Sequence, residues 1–218
     1  MFLFAFIVPT LNWALGLSKL IVADNVIATA KNIIANELLF RIGLTIELIM
    51  SVGLVVLAVA LYTILKPVNR NVALLALSLK LVEASVVAAI VLVYFIALQM
   101  LNGAASLTAI SPEQLQASVG FLLNQHTVLY STPMVFLGLD MMIFFYLFYK
   151  SKYIPGILAG FGILSFALIL IHALGHILAP NYAAMLIIQV ICYTPSGIAE
   201  IVVGIWLLSK GLKVQRAQ

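Results

Sequence analysis

The chain alternates long apolar runs with short polar joins. Runs of about 20 residues, the length at which a helix crosses about 30 Å of hydrocarbon, recur along the whole sequence. Because backbone groups inside a bilayer must bond within their own segment, each such run predicts a transmembrane helix. The sequence therefore predicts an all-α, polytopic transmembrane helix bundle. Its six predicted spans lie near residues 1–22, 38–65, 71–101, 127–149, 153–178 and 182–208.

Two polar stretches between the spans carry helix signals of their own. In residues 24–37, Asp24 stands at an N-cap position before an apolar stripe at helical spacing. Further on, Ser111 can cap a helix, Pro112 suits its first position and Gln114 completes a capping box. Both stretches predict short amphipathic helices on the outer membrane surface, acting either as interfacial anchors or as a lid over a cavity.

Composition supports a membrane protein. Of 218 residues, 65% are hydrophobic and 8% charged, and the mean hydropathy is +1.22, whereas soluble domains are about 25% charged. No polar stretch is long enough to fold alone, so residues 1–218 are predicted to form a single membrane domain. The net charge of +4 comes without the basic patch that a nucleic-acid partner requires. The lone Cys192 lies in an apolar run and is assigned no role.

The distribution of lysine and arginine predicts the orientation. The joins at residues 66–70 and 149–156 and the C-terminal tail are short and basic, whereas the connection at 102–126 has no lysine or arginine. The positive-inside rule therefore predicts six spans with both termini in the cytoplasm. If the first span is instead a cleaved signal peptide, five spans keep the same orientation. Three cations fall on the outer side without reversing the bias: Lys19, Lys31 and Arg41.

Ionisable residues inside the spans are the candidate chemistry. A charged side chain near the bilayer centre costs about 2.5–3.5 kcal/mol, so each one needs a partner or a function. At about 1.5 Å per helical residue, most of them fall near the middle of five different spans, which predicts a shared polar intramembrane cavity. The residues predicted to line it are Glu47, Lys80, Glu83, Asp140, His172, His176 and Glu200.

The charged members of this set have different prospects of finding partners. Lys80 and Glu83 are three residues apart on one helix face and can form an ion pair. Glu47, Asp140 and Glu200 have no base near them in the sequence, so each is expected to take a proton or a cation. A purely structural interpretation stays open, in which the ion pair fixes span packing and protonated acids hydrogen-bond across helices.

The stretch "HALGH" places His172 and His176 on one helix face. This spacing serves a metal site, a proton relay or interhelical hydrogen bonding equally well. With Asp140, Glu47 or Glu200 as oxygen ligands, the two imidazoles would suit a divalent metal such as zinc.

The sixth span contains a second unusual element. Pro195 sits mid-span and is followed by Ser196 and Gly197, a sequence that predicts a kink or hinge about one turn before Glu200. Backbone carbonyls freed beside a carboxylate could hold a cation or a polar solute. Proline and glycine are also common in ordinary membrane helices.

Residues 36–84, 148–182 and 197–211 resemble a bacterial family of small integral membrane proteins known as domain of unknown function 4386. The resemblance runs from Ser18 onward and implies a bacterial inner-membrane protein with several spans, but no activity. The abrupt start at Met1, where the family has a polar lead-in, indicates a shortened N-terminus. The chain matches the family pattern at Arg41, Lys66, Pro67, Asn69, Glu83, His176, Pro180 and Glu200. It departs from that pattern at Glu47, Lys80, Asp140 and His172.

Three functions fit these observations. The favoured one is a non-enzymatic binding or transport protein whose polar cavity handles a proton, a cation or a small solute, although no internal repeat is visible. The second is a metal-dependent intramembrane enzyme of hydrolase type, with His172 and His176 holding the metal and Asp140 or Glu200 as general base. The third is a sensory or accessory membrane protein with no catalytic site. The expected partners are the lipid bilayer and a second copy of the chain, although no stretch of the sequence forms a convincing dimer interface.

Overall fold

The computed structural model describes residues 2–22, 25–103 and 111–212, and every regular element in those ranges is helical. A short 3-10 helix, Leu17–Lys19, follows the first α-helix. The α-helices are α1 (Phe2–Leu15), α2 (Val26–Ala35), α3 (Glu37–Leu65), α4 (Arg70–Asn102), α5 (Pro112–Asn124), α6 (His126–Ser151), α7 (Gly156–Leu178), α8 (Pro180–Ala183) and α9 (Leu186–Lys210).

Six helical segments in the described ranges are long and apolar enough to cross a membrane, which confirms the predicted number of spans. The bounds of α3 and α4 fall within one residue of the prediction. The first span is shorter as an α-helix than predicted, because it ends at Leu15 and continues as the 3-10 turn. Large apolar side chains such as Ile157, Leu178 and Leu208 are exposed, as expected where the surrounding solvent is lipid. The chain is a multi-pass membrane protein.

Both short helices predicted between the spans are present, as α2 and α5. The Ser111 side chain accepts from Gln114 N and the Gln114 side chain accepts from Ser111 N, so the predicted capping box is confirmed. The cap of α2 is Asn25, whose side chain accepts from Ala28 N. The prediction of an Asp24 cap was therefore one residue early, and Asp24 itself lies outside the described residues. The location of both helices on the outer membrane surface stays a prediction.

The chain divides into two compact units. The first unit comprises Met1–Phe6, Val52–Ser85 and Ser131–Gln218. Its core is aromatic: Phe144, Phe145, Phe148 and Phe166 are fully buried, and the Phe145 and Phe166 rings stack with centroids 5.6 Å apart. Buried aromatic pairs of this kind add about 0.5–1.5 kcal/mol each to the burial of their area.

The second unit comprises Ile7–Ser51 and Val86–Tyr130. Helices α2 and α5 pack closely in it, because a Cβ added to Gly120 would overlap the carbonyl of Val26. The Asn124 amide donates to Val22 O over 3.2 Å and ties the end of α5 to the segment before α2. Arg41 pairs with Glu37 at 2.6 Å and lies 5.7 Å from the centre of the Phe95 ring. That a single domain spans residues 1–218 stays a prediction.

Candidate functional site

Three of the predicted intramembrane residues are joined by ion pairs in the first unit. Lys80 and Glu83 lie one turn apart on α4, and Lys80 Nζ is 2.8 Å from Glu83 Oε2, so the predicted ion pair is confirmed. Lys80 Nζ also lies 3.0 Å from Asp140 Oδ1 on α6. No base is adjacent to Asp140 in the sequence, and the structure supplies one, Lys80, from a different helix.

These three side chains are almost completely buried. Lys80, Glu83 and Asp140 expose 1%, 3% and 0% of their surfaces. Lys80 and Glu83 share one face of α4, and Asp140 on α6 lies within ion-pair distance of Lys80. Among the described residues no donor forms a regular hydrogen bond with Asp140 Oδ2, and the carboxyl group also interacts with Glu83.

Glu200 on α9 brings a third carboxyl group into the electrostatic range of Lys80 and Glu83. Unlike the other three side chains, Glu200 is only half-buried. We call Lys80, Glu83, Asp140 and Glu200 the charge cluster. With all four groups ionised it would hold one positive and three negative charges, a net charge of −2. An uncompensated charge of this kind is very costly in a low-dielectric interior.

The two histidines on α7 form a second group, the histidine pair. Their rings lie 6.0 Å apart, and the Tyr193 ring of α9 packs edge-on against His172 at 4.8 Å. His172 is 4% exposed, and its Nε2 lies 3.0 Å from the Ala183 carbonyl oxygen in α8. His176 is half-buried. In the described part of the chain, no three His, Cys, Asp or Glu side chains converge as metal ligands.

Helix α9 runs continuously through Pro195, and its predicted kink stays a prediction. Gly197 has a packing role, since a Cβ there would lie 2.7 Å from Cε2 of Phe6 on α1. The Ser196 hydroxyl donates to Tyr193 O over 2.8 Å. Small side chains in this turn therefore let α1 approach α9 closely.

Glu47 lies in the second unit, among side chains that the sequence did not predict as its neighbours. The Tyr130 hydroxyl donates to Glu47 Oε2, and Tyr94 is electrostatically coupled to the same carboxyl group. The His126 ring stacks between Trp13 and Tyr130, with centroid distances of 4.1 and 4.3 Å. The spacing of His126 and Tyr130, four residues apart on α6, was the only available signal for this aromatic stack.

The structure thus separates the predicted cavity residues into groups. Lys80, Glu83 and Asp140 are in contact and Glu200 is near them, whereas His172 and His176 form a pair of their own and Glu47 belongs to the second unit. A single cavity that includes all seven residues stays a prediction.

Comparison with known protein families matches residues 1–211 to the family described as Domain of unknown function (DUF4386). The match covers almost the whole chain, and the chain belongs to this family. This match confirms the resemblance inferred from the sequence motifs. Neither the curated proteins nor the solved structures contain a match to this chain.

Proposed function

We propose that this protein is a non-enzymatic binding or transport protein of the bacterial inner membrane, and that the charge cluster binds and releases protons. The observation that carries the proposal is the imbalance of one ammonium group against three carboxyl groups in a membrane-spanning helical unit. Protons or a small cation must compensate the excess negative charge.

Protons are favoured because the acids lie against one another. Asp140 interacts with Glu83 as well as with Lys80, and two neighbouring carboxyl groups in low dielectric are most stable when they share a proton. Lys80 supplies a fixed positive charge that keeps one carboxylate ionised. Glu200 is the least buried of the four side chains, and we assign proton entry and exit to it. A small solute would be carried in exchange, as in transporters whose intramembrane acids relay protons.

The remaining assignments follow from the same sequence signals. The surrounding partner is the lipid bilayer, both termini face the cytoplasm, and the basic joins at residues 66–70 and 149–156 lie on the inner side. Association with a second copy of the chain is compatible with this function but is not required by it.

Two measurements test the proposal. Infrared difference spectroscopy of the purified protein, recorded across a pH titration in H₂O and D₂O, should show carboxyl bands that Glu200→Gln and Asp140→Asn each alter. Glu113→Gln, which changes an exposed acid in the same way, should leave these bands unchanged. In proteoliposomes with an entrapped pH indicator and an imposed potential, proton uptake should exceed that of empty vesicles and fall to their level in Glu200→Gln.

Carboxyl bands that do not change with pH, or that are the same in folded Glu200→Gln and Asp140→Asn, would overturn proton binding. Bands that respond as expected, combined with vesicles as impermeable as protein-free ones in proton, Na⁺ and K⁺ gradients, would overturn transport and leave a proton-binding protein.

A further inference from the structure

We propose that the histidine pair binds a transition-metal ion through His172 Nδ1 and His176. The site would bind an ion that takes imidazole nitrogens as ligands, such as Zn²⁺ or Cu⁺. This site is separate from the charge cluster and does not depend on the function proposed for it.

The hydrogen bond to Ala183 determines which His172 nitrogen is available. A backbone carbonyl oxygen only accepts, so Nε2 carries the proton and donates over 3.0 Å. In the neutral ring Nδ1 then bears a lone pair. Histidines that ligate metals usually donate their other N–H to a carboxylate or a backbone carbonyl, which fixes the tautomer in this way.

The lone pair on Nδ1 is buried and unused. His172 is 4% exposed, and Nδ1 has no hydrogen-bond partner among the described residues. An unsatisfied buried acceptor destabilises the folded chain, and an electrophilic partner at Nδ1 would relieve this. A metal ion would fill this place.

His176 supplies the second nitrogen. It lies one turn further along the same face of α7, and the two ring centres are 6.0 Å apart. Because a metal–imidazole bond is about 2.0–2.1 Å long, two rings that share an ion have centres roughly 5–6.5 Å apart, a range that includes the observed distance.

Metal retention by protein purified without a polyhistidine tag tests the site. The protein is treated with a chelator, loaded with Zn²⁺ or Cu⁺, freed of excess ion and analysed by elemental mass spectrometry. The wild-type chain should retain about one ion, and His172→Ala and His176→Ala should each reduce retention to background. His126→Gln removes the third histidine of the chain and should retain the ion.

X-ray absorption on the loaded protein should show nitrogen neighbours at about 2.0–2.1 Å. His176 is half-buried, so His176→Ala is expected to stay folded even if His172→Ala does not, which circular dichroism checks. Retention of neither ion by the wild-type protein, or equal retention by folded His176→Ala, would overturn the proposal. Because the carboxyl bands of the charge cluster are measured independently, either proposal can fail without the other.

Discussion

Lys80 on α4 reaches Asp140 on α6, with its ammonium nitrogen 3.0 Å from Asp140 Oδ1 and 2.8 Å from Glu83 Oε2. One lysine therefore joins two membrane-spanning helices while holding two carboxyl groups. The three side chains are buried so completely that none can exchange its partner for water. The stability of the first unit must depend on keeping this set together.

Removing the positive charge should destabilise the protein strongly. Lys80→Met leaves two buried carboxyl groups without their cation, and breaking a buried ion pair by deleting one partner costs about 3–5 kcal/mol. Adding Asp140→Asn should restore part of the loss, since it removes one of the stranded acids. Thermal unfolding in detergent measures both effects. Lys150→Met, at an exposed lysine, is the matched control, and an equal loss in it would contradict the argument.

The contrast between Glu83 and Asp140 shows how far the sequence predicts this site. The pairing of Lys80 with Glu83 follows from their spacing on one helix, which is local geometry. The contact between Lys80 and Asp140 depends on which faces of α4 and α6 meet. The sequence does not predict these faces, because both helices are apolar almost all round. The spans and the capping box could be predicted because they, too, depend on residues close together in the sequence. The partner of Glu47 could not, since Tyr130 is 83 residues away.

The hydrogen bond from Tyr130 to Glu47 should contribute measurably to stability. Tyr130→Phe removes the hydroxyl but keeps the ring stacked on His126, so the change isolates the hydrogen bond. A buried acceptor deprived of its donor costs about 1–3 kcal/mol, and the unfolding temperature should fall accordingly. The control is Tyr149→Phe, at a tyrosine that is 55% exposed. Equal unfolding temperatures for the two variants would show that the Tyr130 hydroxyl contributes nothing.

Two glycines on α7 should respond oppositely to the same substitution. A Cβ at Gly162 would overlap the ring of buried Phe145, whereas a Cβ at Gly160 would meet nothing within 4 Å. Gly162→Ala should therefore overpack the core and cost about 1–3 kcal/mol. Gly160→Ala should be neutral or gain up to about 1 kcal/mol through helix propensity. Unfolding curves of the two variants, recorded side by side, check the pair, and a stabilised Gly162→Ala would show that Phe145 moves aside readily.

The orientation can be measured because the chain has a single, buried cysteine. In a Cys192→Ser background, Lys150→Cys marks the basic last turn of α6 and Glu113→Cys marks the start of α5, both at exposed positions. Since cationic joins stay in the cytoplasm, a membrane-impermeant maleimide should label intact cells at position 113 and reach position 150 only after permeabilisation. The reverse pattern would place both termini outside. Protons entering through Glu200 would then have to be followed from the opposite face of the membrane, so this labelling decides how the vesicle assay is oriented.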